Sequence, residues 1–287
     1  MKTEAGELTS GIKNQISQTG IEGKLIILFL GDVIGNPGRK CLENGLDFLI
    51  AENDVDAVIV NGENAAGGLG ITPDISDYIL GLGVDVITTG NHIYKKKDIY
   101  DYLEKEPRLL KPANYPPGTP GNGSIIFSNK KTKGHEIAVF NLCGRVFIDN
   151  FDCPFRTSDK IIEFLARRTP IIILDFHAEV TSEKIAMGWY LDGKVSAVVG
   201  THTHVQTADE RILPKGTAYI TDTGMCGPRN SVIGVKKEII VDRFINMLPH
   251  RFDVANSDNW INGVVIEINE SNGKALSIKR ISKKIYD

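Results

Sequence analysis

Residues 170–204 read PIIILDFHAEVTSEKIAMGWYLDGKVSAVVGTHTH, and this stretch decides the fold class. Runs of mostly apolar residues at 170–177 and 197–204 flank a segment, 182–191, that has the length of a short helix. Consecutive Ile, Val and Leu residues are typical of strands that are buried on both faces. The order strand, helix, strand predicts an α/β protein with helices packed on both sides of sheet.

The same alternation extends in both directions along the chain. Five more apolar runs predict strands at 25–32, 56–64, 85–92, 136–142 and 217–222. Five more amphipathic stretches predict helices from Pro37 to about Glu52 and at about 73–82, 96–104, 158–168 and 236–248. Proline suits the first position of a helix, which supports a start at Pro37.

The remaining segments define the ends of the domain and its longest loop. Residues 1–24 are a polar extension in which 8–18 could form a short helix, so we predict a single domain over 25–287. The segment KPANYPPGTPGNG, 111–123, is dense in Pro and Gly and predicts a loop. Near the C-terminus, 263–269 and 275–281 flank the turn residues SNGK and predict a β-hairpin.

Composition narrows the functional classes. Of 287 residues, 41% are hydrophobic and 24% are charged, which is typical of a globular protein. A formal net charge of −3 argues against a domain built to bind long nucleic acid, which usually has excess Lys and Arg. The sequence shows no secretory signal and no run of about 20 apolar residues that could span a membrane. The four cysteines form no C-x-x-C pair, which indicates reduced thiols, and we expect a cytoplasmic protein.

Residues able to bind metal follow one predicted strand after another. In α/β sheets ligands bind beyond the carboxyl ends of the strands, so side chains far apart in sequence can meet there. Four of the six histidines belong to this set. Its members are Asp32, Glu63, Asn64, Asn91, His92, His177, His202 and His204.

The motif THTH, 201–204, is the most informative of these positions. In an extended segment His202 and His204 point to the same face, and two buried imidazoles without partners are costly. Metal binding is therefore favoured over a structural pair. Taken alone, Asp32 is more typical of a turn or a helix cap, and the GNH of 90–92 of a turn, so their joint position carries the argument.

The mixture of donors indicates which ions would bind. Imidazole nitrogen combined with carboxylate and amide oxygen, without thiolate, favours Mn, Fe or Zn. The set holds too many ligands for one tetrahedral ion, which indicates two divalent ions, and a carboxylate such as Glu63 could bridge them.

The order of these motifs resembles the calcineurin-like metallophosphoesterase superfamily and, more narrowly, the bacterial YmdB-type phosphodiesterases. The resemblance runs from about residue 25 to the C-terminus, and the sequence around the ligands matches as well. The segments that carry it are LFLGDVIGNPGR (28–39), VNGENAAGGLGIT (60–72), ITTGNHIYKKKDI (87–99), LLKPANYPPGTPG (109–121), 174–209 and ILPKGTAYITDTGMCGP (212–228).

The resemblance implies a fold, a metal centre and a substrate class. The fold would be a four-layer α/β/β/α sandwich with its site at one rim. The implied ligands are Asp32, Glu63, Asn64 and His204 for one ion and Asn91, His177 and His202 for the other, with Glu63 bridging. His92 would face the phosphate without binding metal. Substrates would be phosphodiesters, above all cyclic nucleotides such as 2′,3′-cAMP.

This sequence departs from the wider superfamily at two positions. The usual D-x-H of the first block has lost its histidine, because Val33 and Ile34 follow Asp32, and Glu63 stands where an aspartate is usual. The YmdB-type proteins share both changes, so they do not argue against membership.

The mechanism expected from this site is attack by a hydroxide that bridges the two metals, with His92 stabilising or protonating the leaving oxygen. An alternative is a metal-bearing regulator that binds nucleotides with slow or no turnover. A second enzyme alternative is an amidohydrolase, but its H-x-H would be expected on the first strand of a barrel rather than on the sixth apolar run. The resemblance is also compatible with a homo-oligomer.

Overall fold

The structure, a computed structural model, describes residues 23–286. Within this range the chain forms 13 strands and six α-helices. The strands are β1 (Lys24–Leu30), β2 (Asp32–Val33), β3 (Ala57–Asn61), β4 (Val86–Thr88), β5 (Ser124–Phe127), β6 (Ile137–Cys143), β7 (Ile172–His177), β8 (Ala197–Thr201), β9 (Arg211–Ile212), β10 (Ala218–Ile220), β11 (Met225–Pro228), β12 (Asn259–Asn269) and β13 (Ala275–Lys284). The helices are α1 (Gly35–Glu52), α2 (Pro73–Gly81), α3 (Ile99–Leu103), α4 (Pro154–Leu165), α5 (Thr181–Leu191) and α6 (Lys237–Asn246).

The strands form two sheets. The first has the order β2-β11-β12-β1-β3-β4, with β13 paired to β12, and the second has the order β5-β6-β7-β8-β10-β9. Strands β1, β3 and β4 are parallel in the first sheet, as are β6, β7, β8 and β10 in the second. Each sheet therefore has parallel strands whose carboxyl ends lie at one edge.

Three apolar layers hold the two sheets and their helices together. Because side chains alternate along a strand, β1 directs Leu25, Ile27 and Phe29 to the layer shared with the second sheet. The alternate β1 residues pack with α1, α2 and α3 on the outer face of the first sheet. Helices α4 and α5 cover the outer face of the second sheet. The order of layers is α/β/β/α, which confirms the fold class expected from the resemblance.

All seven predicted strands and the C-terminal hairpin are present. Several predicted strands were too long at the carboxyl end, because the polar residues there lie in loops. Residues 56–64, for example, contain a strand only to Asn61, and 197–204 only to Thr201. Four strands that the sequence analysis missed, β2, β5, β9 and β11, have two to four residues each, too few for a periodic pattern.

All six predicted helices are present, with differences at their ends. Helix α4 was predicted to begin at residue 158 but begins at Pro154, the position that proline favours. The short helix considered for 8–18 lies outside the described residues. None of the helices in 23–286 combines the length and apolar content needed to cross a bilayer. The two sheets also differ from the barrel that the amidohydrolase alternative requires.

Candidate metal centre and active site

The polar residues singled out in the sequence lie at the carboxyl edge of both sheets. Asp32 is the first residue of β2 and lies one glycine beyond the end of β1. His177 is the last residue of β7. The other members of the set lie in the loops that follow β3, β4 and β8. Residues contributed by both sheets therefore meet at one rim of the sandwich.

Three of these side chains form the buried floor of the site. Ligand atoms of Asp32, Glu63 and His177 lie within 4.8 Å of one another, and all three side chains are fully buried. Nε2 of His177 lies directly against Oε2 of Glu63. The backbone N–H of His202 donates to Oδ2 of Asp32 at 3.1 Å, which ties the floor to the loop after β8.

The remaining predicted ligands surround this floor. Nδ1 of His202 is 2.9 Å from Nε2 of His177. Nε2 of His204 is 3.5 Å from Oδ1 of Asp32 and 3.2 Å from Nδ2 of Asn64. The structure thus brings the two histidines of THTH to the same centre, next to different partners.

The loop after β4, which carries Gly90 and Asn91, also reaches this rim. A Cβ atom at position 90 would lie 1.9 Å from Oε2 of Glu63 and 2.3 Å from Nε2 of His177. Glycine is therefore required for the loop after β4 to approach the floor so closely. The side-chain oxygen of Asn91 is buried and has no hydrogen-bond partner among the described residues.

The donor set fits a divalent cation. Oε2 of Glu63 is buried and accepts no hydrogen bond within the described residues, although His177 lies against it. Buried polar oxygens without a partner are rare in native proteins, and each asks for an explanation such as an ion. Together with the oxygen of Asn91, this leaves two oxygens available beside imidazole nitrogens, a combination that first-row metals bind.

The electrostatics of the centre favour the protonation states that metal ligands need at Glu63 and His202, but not at His204. Burial by itself would raise the pKa of Glu63, but the imidazoles of His177 and His92 hold it well below its usual range. Burial and the neighbouring His177 lower the pKa of His202 to about 3, so this imidazole is neutral. Burial opposes the charged form of His204, but the carboxylate of Asp32 raises its pKa to about 9. A metal would therefore have to displace a proton from His204.

His92 is placed differently from the other histidines. Its Nδ1 is 2.8 Å from Oε1 of Glu63 and 3.1 Å from Oδ1 of Asn64, which fixes the orientation of the ring. Its side chain is 27% exposed and lines a large cavity, whereas the side chain of His177 is fully buried. Because Nδ1 faces the floor, Nε2 is the ring atom that can reach a molecule in the cavity.

A buried hydrogen-bond relay that the sequence analysis missed orients His177. Oγ1 of Thr201 donates to Oδ1 of Asp175 at 2.7 Å and lies 2.9 Å from Nδ1 of His177. Because the hydroxyl proton of Thr201 goes to Asp175, the oxygen of Thr201 accepts from Nδ1–H of His177. In the neutral ring Nε2 then carries no proton and can bind a metal ion. Nδ2 of Asn61 and Oγ1 of Thr88 also donate to Asp175 and keep it in place.

A second buried residue missed from the sequence, Asp222, fixes the loop that carries THTH. Its Oδ2 accepts from the backbone N–H of Thr203 at 3.0 Å, from Oγ1 of Thr203 at 2.7 Å and from Nζ of Lys184 at 2.7 Å. Lys184 is 1% exposed. His202 and His204, on either side of Thr203, have φ angles of 96° and 64°, which non-glycine residues adopt only where the surrounding structure holds them.

These findings correct one step of the sequence reasoning. The prediction that His202 and His204 share the face of an extended segment was wrong, because β8 ends at Thr201 and both histidines have left-handed backbone. The rule about strand ends could have found Asp222, which follows Ile220, the last residue of β10, by two positions. Asp175 gave no comparable signal, because it lies inside β7.

Comparison with known proteins agrees with this geometry. The model of the family described as YmdB-like protein matches residues 28–281. A 2′,3′-cyclic-nucleotide 2′-phosphodiesterase of Bacillus subtilis (strain 168) is 51% identical over 255 residues, which are 89% of this chain and 96% of the relative.

Two solved structures share the fold. A hypothetical protein from Thermus thermophilus superposes with a TM-score of 0.85 and 37% identity, covering 91% of this chain and 100% of that one. A phosphatase from Mycoplasma pneumoniae gives a TM-score of 0.85 and 36% identity, covering 93% and 96%. The resemblance drawn from the motifs is confirmed, and the chain belongs to the YmdB-like protein family.

Proposed function

We propose that this protein is a dinuclear metal-dependent phosphodiesterase that hydrolyses cyclic nucleotides of the 2′,3′-cAMP class. The observation that carries the proposal is the buried cluster of Asp32, Glu63 and His177 at the shared edge of the two sheets. The phosphodiesterase activity is supported by the Bacillus subtilis relative, which acts on 2′,3′-cyclic nucleotides and matches nearly the whole chain.

Seven residues would hold two divalent ions, for which we propose Fe, Mn or Zn. They are Asp32, Glu63, Asn64, Asn91, His177, His202 and His204. Glu63 contacts both His177 and His92 and has one oxygen without a hydrogen bond, which suits a bridging position. When bound, a pair of such ions supplies an activated water and neutralises charge on the phosphate oxygens.

The residues of the chain orient the substrate and manage its protons. His92 lines the cavity, and its Nδ1 is anchored by Glu63 and Asn64, so in the doubly protonated ring Nε2–H can donate a hydrogen bond or a proton to the leaving oxygen. A positioned general acid typically speeds such a step by about 10²–10⁴-fold. The relay from Asp175 through Thr201 keeps His177 in one tautomer throughout the reaction.

The first experiment is to purify the protein without chelator, count bound metals per chain by element, and measure hydrolysis of 2′,3′-cAMP. Close to two ions per chain, with activity that chelation abolishes and added metal restores, is the expected result. Metal without turnover would favour the alternative of a metal-bearing nucleotide-binding regulator. A protein that takes up no metal even after reconstitution would overturn the proposal.

Two broader expectations accompany this function. A cytoplasmic location stays a prediction, which fractionation of the native cells would test. A homo-oligomer also stays a prediction, which the molecular mass in solution would test.

A further inference from the structure

A large cavity opens directly from the metal centre. Its volume is about 750 Å³, which lies within the range of about 300–1,000 Å³ that is usual for ligand pockets. One side consists of polar residues of the centre, including Asn64, His92 and His204. The facing side, here called the apolar wall, comes from residues 232–254 and includes Val235, Ile240, Phe244, Phe252 and Val254.

The apolar wall is held in place by backbone pairing at its base. Val235 pairs with Val254, and the backbone N–H of Lys236 donates to the carbonyl of Asp253 at 3.0 Å. Helix α6 lies between these two strips of chain. The guanidinium of Arg243 in α6 stacks on the ring of Phe252 at 4.9 Å, which orients that ring.

The aromatic rings of the wall are unusually exposed. Phe244 is 77% exposed and Phe252 is 46% exposed, although both line the cavity. Ligand pockets are typically lined by apolar and aromatic side chains with a few polar groups that fix the orientation of the ligand. Here the polar groups are those of the metal centre, so a ligand would have its charged part there and an apolar, flat part against the wall.

We propose that the apolar wall is the nucleobase subsite of the enzyme, with Phe252 and Phe244 providing the surfaces on which the base packs. The inference rests on the proposed phosphodiesterase function. A nucleotide whose phosphate lies at the metal centre must direct its sugar and base away from the buried floor, and His202 and His204, which surround that floor, line the cavity. Bases stack on aromatic rings in a manner that tolerates sequence differences, because every base has a π-face.

The wall also defines the kind of selectivity to expect. Its lining is mostly aliphatic and aromatic, with Arg243 as the charged group that stacks on Phe252. Because the wall is mostly aliphatic and aromatic, the subsite should distinguish nucleotides from base-free diesters more strongly than it distinguishes one base from another.

The test compares a nucleotide with a diester that has no base. We would measure kcat/KM for 2′,3′-cAMP and for methyl ribofuranoside 2,3-cyclic phosphate, which keeps the sugar and the cyclic diester but has no aromatic ring, in the metal-loaded wild type and in Phe252→Ala. The ratio of the two values should fall by about tenfold in Phe252→Ala, as expected for loss of one stacking contact. Phe252→Tyr keeps the ring and should restore the ratio. Phe164→Ala, which changes a 63% exposed ring outside the cavity, is the matched control and should not alter it.

Other outcomes would overturn the inference. An equal loss for both substrates would mean that the wall only shapes the metal centre, and an unchanged ratio would place the base elsewhere. An unchanged ratio together with a changed oligomeric state would show that the wall contacts a second copy of the chain.

Failure of the proposed function can be distinguished from failure of this inference. If the wild type hydrolyses neither diester, calorimetric measurement of 2′,3′-cAMP binding shows whether the base subsite exists without catalysis. Binding that weakens in Phe252→Ala but not in Phe164→Ala would keep the subsite without catalysis, and no binding by the wild type would overturn it.

Discussion

The floor of the metal centre and the segment that forms the apolar wall both contact His204, through Asp32 and Ile233, yet they are built in opposite ways. Asp32, Glu63 and His177 are fully buried at the ends of central strands, and their neighbours fix them by hydrogen bonds. Phe244 and Phe252 lie outside both sheets and are largely exposed. The floor is therefore part of the core of the fold, whereas the wall is a peripheral segment.

This difference separates chemistry from recognition. A buried charged group that loses its partner is costly, so changes at the floor should affect metal binding, stability and turnover together. Surface aromatic residues carry little of the stability of a fold, and exposed substitutions usually change it by no more than about 0.5 kcal/mol. Changes at the wall should therefore alter substrate preference and leave the fold intact.

The largest effect is expected at Glu63. Glu63→Gln keeps the size of the side chain but removes the charge that faces His177 and His92. We expect activity to fall by about 10³-fold, which is the upper end of the loss in kcat seen when one electrostatic group is removed from an active site. Metal content per chain, measured by element, should fall with it. Glu163→Gln, on the exposed face of α4, is the control. Full metal occupancy in Glu63→Gln would contradict the assignment of the floor.

The next effect separates catalysis from metal binding within the site. His92→Ala should keep the metal ions but reduce kcat by about 10²-fold, the lower end of the usual contribution of a general acid, because the metal ions still activate the attacking water. The reason is that His92 lines the cavity while its Nδ1 only anchors it to Glu63. His135→Ala, which changes a histidine paired with Glu270 elsewhere, is the control. Unchanged turnover in His92→Ala would show that another group serves the leaving oxygen.

The sequence was sufficient to predict the strands and the edge at which their polar residues meet. Both follow from local patterns: consecutive apolar residues define β7 and β8, and chemistry collects after the carboxyl ends of parallel strands. The left-handed backbone of His202 and His204 could not be predicted, because it depends on Asp222, eighteen residues beyond His204. A long-range contact of this kind leaves no periodic signal.

The position of the apolar wall could be predicted from the sequence even less well than the backbone of the two histidines. The sequence predicts α6 correctly but does not indicate which way the helix faces. The backbone pairing of Val235 with Val254, next to which Lys236 donates to Asp253, brings Phe252 to the cavity. Base recognition therefore depends on a tertiary contact between two short segments, and the predicted elements alone do not contain it.

A smaller effect tests whether Asp222 positions the metal ligands. Asp222→Asn removes the negative charge beside Lys184 and leaves one oxygen where two now accept from Lys184, Thr203 and the Gly224 N–H, so we expect metal affinity to weaken by about 10–100-fold, as for other groups that orient metal ligands. The variant should also lose stability, by about 3–5 kcal/mol, because Lys184 becomes a buried charge without a partner. Metal titration and thermal unfolding measure the two effects separately.

The double variant Asp222→Asn with Lys184→Met distinguishes positioning from stability. It removes the unpaired charge, so the unfolding temperature should recover, while the loop that carries His202 and His204 still lacks its anchor. Metal affinity should therefore remain low. If affinity returned to the wild-type value together with stability, Asp222 would act only by stabilising the fold.

The last effect concerns pH and arises at the metal centre. Burial works against protonation of His204, but Asp32 raises its pKa to about 9, and contact with Glu63 also raises the pKa of His177 against the effect of burial. Below about pH 9 a divalent ion must displace at least one proton, so its affinity should rise with pH, by about tenfold per unit for each proton displaced. Above that pH the dependence on His204 should disappear.

Calorimetric titration of the metal-free protein with Mn²⁺ between about pH 6.5 and about pH 8.5, in two buffers of different ionisation enthalpy, counts the released protons directly. The stacking contact of the wall joins Arg243 to Phe252 and includes neither His204 nor His177. Nucleotide preference, expressed as the ratio between 2′,3′-cAMP and the base-free methyl ribofuranoside 2,3-cyclic phosphate, should therefore stay constant over pH values at which metal affinity changes. If the substrate ratio changed with pH in parallel with metal affinity, base binding at the wall would depend on the protonation state of the metal centre. The metal centre and the wall would then not act independently.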